Sequence, residues 1–280
     1  MQIFKEIRAL RAFLKEKKSQ NQSIGFVPTM GALHNGHLQL ISESKKANSV
    51  TVCSIFVNPT QFNSPGDLEK YPRTPEHDAK LLEQGGCDVL FLPESSEMYA
   101  HRNEVTFDFG RLDKILEGEF RPGHFSGVAL VVSKFFNIVQ PTRAYFGQKD
   151  FQQFKIVTLL VRDLNFDLEL ICVRTMREAN GLARSSRNAL LTEPGREQAT
   201  VLHKSLLFAH DSLAQNKNLA DIKLAVKKMF ADAKVRLEYF ELADQENLNL
   251  INSVSPSIPA VLLVAGYVGE VRLIDNMLVE

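Results

Sequence analysis

Two histidines three residues apart, His34 and His37, stand with Gly36 at the end of the run Ile24-Gly25-Phe26-Val27-Pro28-Thr29-Met30-Gly31-Ala32-Leu33. The apolar start of this run predicts a strand, its glycine-bearing end a loop, and the residues from His37 to Asn48 a helix. His-x-Gly-His therefore marks a strand-to-helix passage. In an open α/β sheet that place is the carboxyl end of a strand beside a helix N-terminus, where backbone N–H groups and the helix dipole favour anions. Gly36 lets a ligand press against the backbone, and the imidazoles can donate to phosphoryl oxygens as charge grows there during displacement. The chemistry is that of a nucleoside-triphosphate site. A histidine pair at this spacing also occurs at plain helix starts, so other loops must support the reading.

Three further loops carry chemistry. Asn58-Pro59-Thr60-Gln61-Phe62 follows a predicted strand and offers two carboxamides, each able to donate and accept, although Asn-Pro alone is also a turn signal. Phe146-Gly147-Gln148-Lys149-Asp150-Phe151-Gln152-Gln153 places a lysine and an acid at another strand-to-helix junction. Lys149 would neutralise phosphate charge there, while Asp150 can bond a ribose hydroxyl or cap the helix. Gly181-Leu182-Ala183-Arg184-Ser185-Ser186-Arg187-Asn188 gathers hydroxyls and guanidinium groups that can wrap the far end of a triphosphate, or else form a solvated linker. Other familiar sites fail on spacing. The chain has no G-x-x-x-x-G-K-[ST], no G-x-G-x-x-G after its first strand and no H-E-x-x-H, and Gly123-His124-Phe125-Ser126-Gly127 misplaces its serine for a hydrolase elbow.

The elements that must position these loops alternate. Ile3, Ile7, Leu10 and Leu14 recur at helical spacing and predict a first helix ending near Lys18. Strands are expected at 24–28, 50–57, 89–92, 105–109, 144–146 and 168–173, with helices at 37–48, 75–84, 125–139 and 151–164. Strand, helix, strand repetition implies a mostly parallel sheet covered on both faces, with the site in the loops after the strands. After about Thr175 a polar loop at 177–188 leads to helices at 198–215 and 219–233 and to strands at 238–242, 260–267 and 271–274. Gly266 and Gly269 mark a turn or bulge, and the whole reads as a smaller α+β unit.

Composition sets the outer bounds. Of 280 residues, 44% are hydrophobic and 24% charged, enough for one large or two moderate cores. Lys plus Arg and Asp plus Glu each number 33, so no net field draws the chain to nucleic acid or to an anionic membrane. Cys53, Cys87 and Cys172 lie far apart in apolar contexts and read as core fillers in a reducing compartment. No apolar stretch nears the roughly 18 residues of a membrane span, and the N-terminus lacks a signal-peptide layout, so a soluble cytoplasmic protein is expected.

The loops in combination resemble a known family. Pro28-Thr29-Met30-Gly31-Ala32-Leu33-His34-Asn35-Gly36-His37, Phe56-Val57-Asn58-Pro59-Thr60-Gln61-Phe62, Tyr71-Pro72-Arg73-Thr74-Pro75, Arg121-Pro122-Gly123-His124-Phe125, the Phe146–Gln153 segment and the Gly181–Asn188 segment occur in the order of the pantothenate synthetases, and the likeness extends to the closing Arg272-Leu273-Ile274-Asp275-Asn276. His-x-Gly-His alone marks only a wider nucleotidyltransferase superfamily. The resemblance implies a Rossmann-like, doubly wound catalytic domain over residues 1–175 and a smaller α+β lid domain over 176–280 that carries a phosphate-clamping loop. It implies a cytoplasmic homodimer that uses ATP and Mg²⁺ to join pantoate to β-alanine through a pantoyl adenylate, with no nucleic-acid or membrane partner.

On the same resemblance His34, His37, Lys149, Ser185, Ser186 and Arg187 are catalytic. Pro28, Thr29, Met30, Gly36, Gly147 and Asp150 join His37, Lys149 and the serine–arginine loop in binding ATP. Met30, Asn58, Gln61 and Gln153 bind pantoate, and Asp78 is a candidate metal ligand. The chain departs from the family pattern at Asn180 and Gln148, where acids are usual, at Arg184, where an apolar residue is common, and at His77, which interrupts an acidic stretch. Two alternatives share the histidine motif: a related nucleotidyltransferase acting on another cofactor precursor, and a non-catalytic nucleotide- or RNA-binding module. The amides Asn58, Gln61 and Gln153 speak against the first, and the neutral charge against an RNA role.

Overall fold

The computed structural model describes residues 1–63 and 65–279. They divide into two compact units, Met1–Gly147 with Gln152–Val173, and Gln148–Phe151 with Arg174–Glu280. In chain order the first unit runs β1 (Gln2–Phe4), α1 (Ile7–Ser19), β2 (Ile24–Thr29), α2 (Asn35–Ala47), β3 (Val50–Ile55), α3 (Pro65–Lys70), α4 (Pro75–Gln84), β4 (Val89–Phe91), α5 (Ser95–Met98), α6 (Glu117–Phe120), α7 (His124–Val139), β5 (Arg143–Gly147), α8 (Phe151–Asp163) and β6 (Glu169–Val173). The second adds α9 (Glu193–Ala214), α10 (Leu219–Asp232), β7 (Arg236–Asp244), β8 (Ala260–Val268) and β9 (Val271–Val279). Among the described residues no helix is long and apolar enough to cross a membrane.

The first unit is a six-stranded sheet ordered β1-β4-β3-β2-β5-β6, every pair parallel. Successive side chains of a strand point to opposite faces, and each face needs its own cover. Phe26, Val52 and Phe91 bury with α1 and α7 on one side, while Val27, Cys53 and Leu90 bury with Leu40, Ile41 and Leu82 of α2 and α4 on the other. From β2 the strand order runs outward to β3 on one side and to β5 on the other. The ends of β2 and β5 thus flank the topological switch point, where parallel α/β sheets leave a crevice for ligands. Phe135 of α7 is the knot of the first core, its ring meeting Phe26, Phe56 and Phe91 near edge-on at 5.6, 6.3 and 6.3 Å.

The second unit is an antiparallel sheet ordered β7-β8-β9, with α9 and α10 sharing its core through Leu202, Leu206, Phe230, Leu262 and Val264. Gly269, at φ +56°, makes the turn between β8 and β9. Gly266 lies inside β8 instead, opposite the register shift between Leu237 and Tyr239. Strand β9 runs past the expected 274 to Val279 because β8 pairs with it throughout. Helix α9 begins earlier than expected, at Glu193, because Thr192 Oγ1 accepts the Gly195 N–H and Pro194 suits the first turn.

Three expectations fail for reasons of tertiary contact. Ile3 belongs to β1, not to the first helix, since Gln2 N–H donates to Asp88 O and Leu92 N–H to Phe4 O along β4. No strand forms over 105–109, because the Phe107 and Phe109 amides donate to Ser126 Oγ and Asp113 Oδ2 rather than to a neighbouring strand. Cys172 is no core filler: it sits exposed on the edge strand β6, whereas Cys53 and Cys87 are buried. Replacing Phe135 by alanine empties the centre of the first core, and we expect the unfolding free energy in urea to fall by about 3–5 kcal/mol. A loss below about 1 kcal/mol would show that the phenylalanine cluster does not hold the sheet to α7.

Candidate active site

Pro28 and Thr29 end β2, and Met30 opens the loop. Thr29 Oγ1 donates to Ser54 O (2.7 Å) and accepts from Gly31 N–H (3.3 Å), turning the chain off the sheet. Gly31 (φ +85°) and Ala32 (φ +49°) both take left-handed backbone, which for alanine costs about 1 kcal/mol. A buried carboxylate offsets it. Asp78 of α4 is 0% exposed, and its Oδ2 and Oδ1 accept the N–H groups of Ala32 and Leu33 at 2.8 Å each, with Thr74 Oγ1 donating to Oδ1 at 3.1 Å. Both oxygens accept from protein donors, so Asp78 anchors the loop. Among the described residues no group of three His, Cys, Asp or Glu side chains is placed to hold a metal ion.

The loop delivers the chain into α2 with His34 as N-cap. His34 Nδ1 accepts the Gly36 N–H (3.1 Å) and His37 Nδ1 accepts the His34 N–H (3.3 Å), with the ring centroids 4.1 Å apart. A ring nitrogen that accepts an N–H bond carries no proton, so each imidazole holds its hydrogen on Nε2. Helix capping has fixed the tautomer, making both Nε2 atoms donors, as a group meeting phosphoryl oxygen must be.

A second cluster lies at the 3₁₀ turn Pro59–Gln61 that follows β3. Asn58 and Gln61 are buried, and their amides are oriented by what surrounds them. Tyr99 Oη (2.6 Å), Thr60 Oγ1 (2.9 Å) and Thr60 N–H (3.3 Å) all donate to Asn58 Oδ1. Asn58 Nδ2 then donates to Gly127 O (3.1 Å) and to Gln61 Oε1 (3.0 Å), which turns Gln61 Nε2 onto Met30 Sδ at 3.1 Å. Burial pushes the Tyr99 phenol up and keeps it a donor, despite a hydrogen bond with Thr60 that acts the other way. Gly127 permits the close approach of α7, since a Cβ there would stand 2.2 Å from Thr60 O. The Arg-Pro-Gly-His stretch also gains a role, because buried His124 meets Gln61 O through Nδ1 (2.8 Å) and Arg121 Nη1 through Nε2 (3.1 Å). Met30, Asn58 and Gln61 are thus one bonded group. Gln153 lies half-buried on α8, beside Gln152, whose buried amide holds Leu112 O, Ile115 O and Glu117 N–H.

Gly147 ends β5 opposite Val173. In the second unit Lys149 and Asp150 share the 3₁₀ turn Gln148–Asp150 and pair at 3.7 Å. The loop before α9 folds back on itself through an antiparallel bridge between Arg177 and Ala183 and the bonds Glu178 N–H to Leu182 O (2.8 Å) and Arg184 N–H to Met176 O (2.9 Å). Asn180 Oδ1 accepts the Leu182 N–H (3.1 Å), a bond an aspartate would make equally well. Ser185 then caps the 3₁₀ turn Ser186–Leu190 by accepting the Arg187 N–H (3.2 Å). Lys149 and Ser185 line one hollow together with Leu182, Ala183, Asn188 and Asp275. Spacing alone missed Tyr99 and the anchoring work of Asp78. Tyr99 sits in no recognisable pattern, and a carboxylate in the first turn of a helix looks the same whether it faces solvent or a loop.

The chain is similar to known proteins along its whole length. The family model for pantoate-beta-alanine ligase matches residues 2–278. The chain is 46% identical to the pantothenate synthetase of Cytophaga hutchinsonii, covering 98% of this chain and 97% of that protein. Its fold superposes on the crystal structure of the Thermus thermophilus pantothenate synthetase with a TM-score of 0.93 at 40% identity, covering 100% and 99% of the two chains. A pantoate-beta-alanine ligase from Francisella tularensis, solved in complex with beta-gamma ATP and β-alanine, superposes at TM-score 0.84 and 36% identity over 99% and 97%.

The Asp78→Asn variant retains one accepting oxygen and turns an NH₂ toward a backbone N–H. We expect it to lose about 2 kcal/mol of stability in urea unfolding. A loss below about 0.5 kcal/mol would show that the carboxylate does not hold the turn.

Proposed function

Since the chain belongs to the pantoate-beta-alanine ligase family, we propose the route by which its residues condense pantoate with β-alanine, with ATP converted to AMP and pyrophosphate. A carboxylate acylates poorly because its leaving group would be oxide. Attack of the pantoate carboxylate on the α-phosphorus of ATP expels pyrophosphate and yields pantoyl adenylate, a mixed anhydride. The β-alanine amine then attacks the acyl carbon and expels AMP, forming the amide of pantothenate. In-line displacement at phosphorus needs positioning and charge stabilisation more than covalent help. The observation that carries this reading is the pair of Nδ1-anchored imidazoles at the end of β2, whose Nε2 protons are set to donate.

His34 and His37 stabilise the oxygens of the pentavalent phosphorus, and Lys149 neutralises the same phosphate. Ser185, Ser186 and Arg187 take the β- and γ-phosphates, the role of a lid. Pro28, Thr29, Met30 and Gly36 line the nucleotide at the end of β2, while Gly147 and Asp150 receive the adenosine, Asp150 at the ribose. Asn58, Gln61 and Gln153, with Met30, hold the hydroxyls and carboxylate of pantoate. The fixed orientation of the Gln61 amide supports this assignment, because a donor held in place can select an oxygen-bearing ligand. Mg²⁺ brought in with the nucleotide would offset the negative charge of the phosphates, and so small and reluctantly dehydrated a cation would need few protein ligands. Family membership also supports a homodimer working in the cytoplasm.

The test is pyrophosphate release from MgATP with pantoate present and β-alanine omitted, then a chase with β-alanine. We expect a stoichiometric burst followed by steady turnover to pantothenate; ATP binding without pantoate-dependent pyrophosphate would refute the adenylate route. His34→Ala and His37→Ala should each lower the burst rate by roughly two to three orders of magnitude while the protein remains folded, and wild-type rates in both would remove the histidines from the chemistry. Tyr99→Phe deletes one donor to Asn58 and should raise the KM for pantoate roughly fivefold, about 1 kcal/mol, with the KM for ATP unmoved. An unchanged pantoate KM would separate Tyr99 from the substrate amides.

A further inference from the structure

The closing Asp275-Asn276 pair has no place in the chemistry above, yet both residues are polar and buried, at 4% and 1% exposure, in the middle of β9. Neighbouring residues of a strand send their side chains to opposite faces, so one strand can grip two segments. Asn276 grips the Lys149 turn: its Nδ2 donates to Gln148 O (2.9 Å) and Lys149 O (2.8 Å), and its Oδ1 accepts from Gln148 Nε2 (3.2 Å). Asp275 grips the loop. Its Oδ2 and Oδ1 accept from Arg177 Nη1 and Nη2 at 2.6 and 3.0 Å, the two-pronged geometry that fixes a guanidinium in both distance and plane. That guanidinium also donates to Gly181 O (3.1 Å) and Asn276 O (3.3 Å), and Asp275 Oδ1 accepts the Asn276 N–H (2.8 Å), closing the network. On its other side the loop rests on α9, where a Cβ on Gly181 (φ +90°) would lie 2.4 Å from the His203 ring.

We propose that Asp275 and Asn276 are positioning residues for the adenylation step, tying the Lys149 turn and the loop of Ser185, Ser186 and Arg187 to one rigid strand so that their phosphate-binding groups arrive as a unit. The inference rests on the phosphate roles assigned above to Lys149 and that loop. Its physical basis is that turn and loop are short irregular segments whose backbones would each relax independently without the strand. Cationic groups that must meet a charge-bearing transition state lose most of their effect when displaced by about 1 Å. Gln148 takes part twice, its side-chain amide donating to Asn276 Oδ1 while its main-chain carbonyl accepts from the same side chain.

The two half-reactions separate positioning from plain stability. Pantoate-dependent pyrophosphate release in a single turnover reads adenylation; conversion of supplied pantoyl adenylate by β-alanine reads the second step, which has no β- or γ-phosphate to hold. For Asn276→Ala and for the milder Gln148→Ala, we expect adenylation to slow by roughly 10- to 100-fold and roughly 3- to 10-fold respectively, with the KM for ATP raised and the second step held within about threefold of wild type. Equal losses in both half-reactions, or no loss in adenylation, would overturn the proposal. Gln148→Ala decides the matter if Asn276→Ala does not fold. Lys149→Ala run alongside tells the two failures apart. If it impairs adenylation while the Asn276 and Gln148 variants do not, the strand has no positioning role; if it leaves adenylation intact, the phosphate role of Lys149 falls, and the proposal with it.

Discussion

The acceptance of two successive backbone N–H groups by one buried carboxylate, Asp78, is the constraint on which the histidine site depends. The chain leaving β2 must turn at once into α2, and it does so through left-handed backbone at Gly31 and Ala32, which a free loop would abandon. A carboxylate is suited to the task because it accepts in two directions and donates in none. Placed on α4 with Thr74 donating from the same helix start, it holds the turn against the sheet. His34 then falls at the N-cap of α2, where backbone N–H groups meet the ring nitrogens.

The same logic recurs at the two histidines and at the amides of Asn58 and Gln61. Each has a polar atom occupied by the protein, so its orientation is set by the fold itself. His34 and His37 are set through Nδ1 by main-chain N–H groups, Gln61 through Oε1 by Asn58, and Asn58 in turn by Tyr99, Thr60 and Gly127. In water these polar groups would turn freely. Buried in low dielectric, where an unmade hydrogen bond costs about 1–3 kcal/mol, the satisfied arrangement is strongly favoured over its alternatives. Preorganisation of this kind suits displacement at phosphorus, in which fixed dipoles stabilise charge without having to reorient as it develops.

The two units reach rigidity by different means. The parallel sheet buries both faces under helices and locks its helix α7 with the Phe135 cluster, so its loops emerge from a framework that cannot shear without opening the core. The smaller unit builds its core on one side of an antiparallel sheet and controls its loops by polar grips from a strand, with Arg177 and Asp275 at their centre. Hydrophobic packing places whole elements; directional bonds are needed to place a loop within an ångström.

By itself the sequence determined the kinds of element, most of their boundaries, the alternation that makes a parallel sheet and the loop motifs that mark the family. Those features are local: helix α4 over Pro75–Gln84 is set by a proline at its first turn and by its own periodicity, and His-x-Gly-His announces itself through residue types and spacing. Only the tertiary structure decided that Ile3 joins an edge strand, that 105–109 forms no strand and that Cys172 is exposed, because each depends on which distant backbone lies alongside. It also decided what Asp78, Tyr99 and Asn276 do. Their hydrogen bonds reach partners 46, 41 and 127 residues away, and no short-range pattern records a bond across such a separation. Residue types can state which groups are able to donate or accept; the direction in which each one does so is a property of the packed chain.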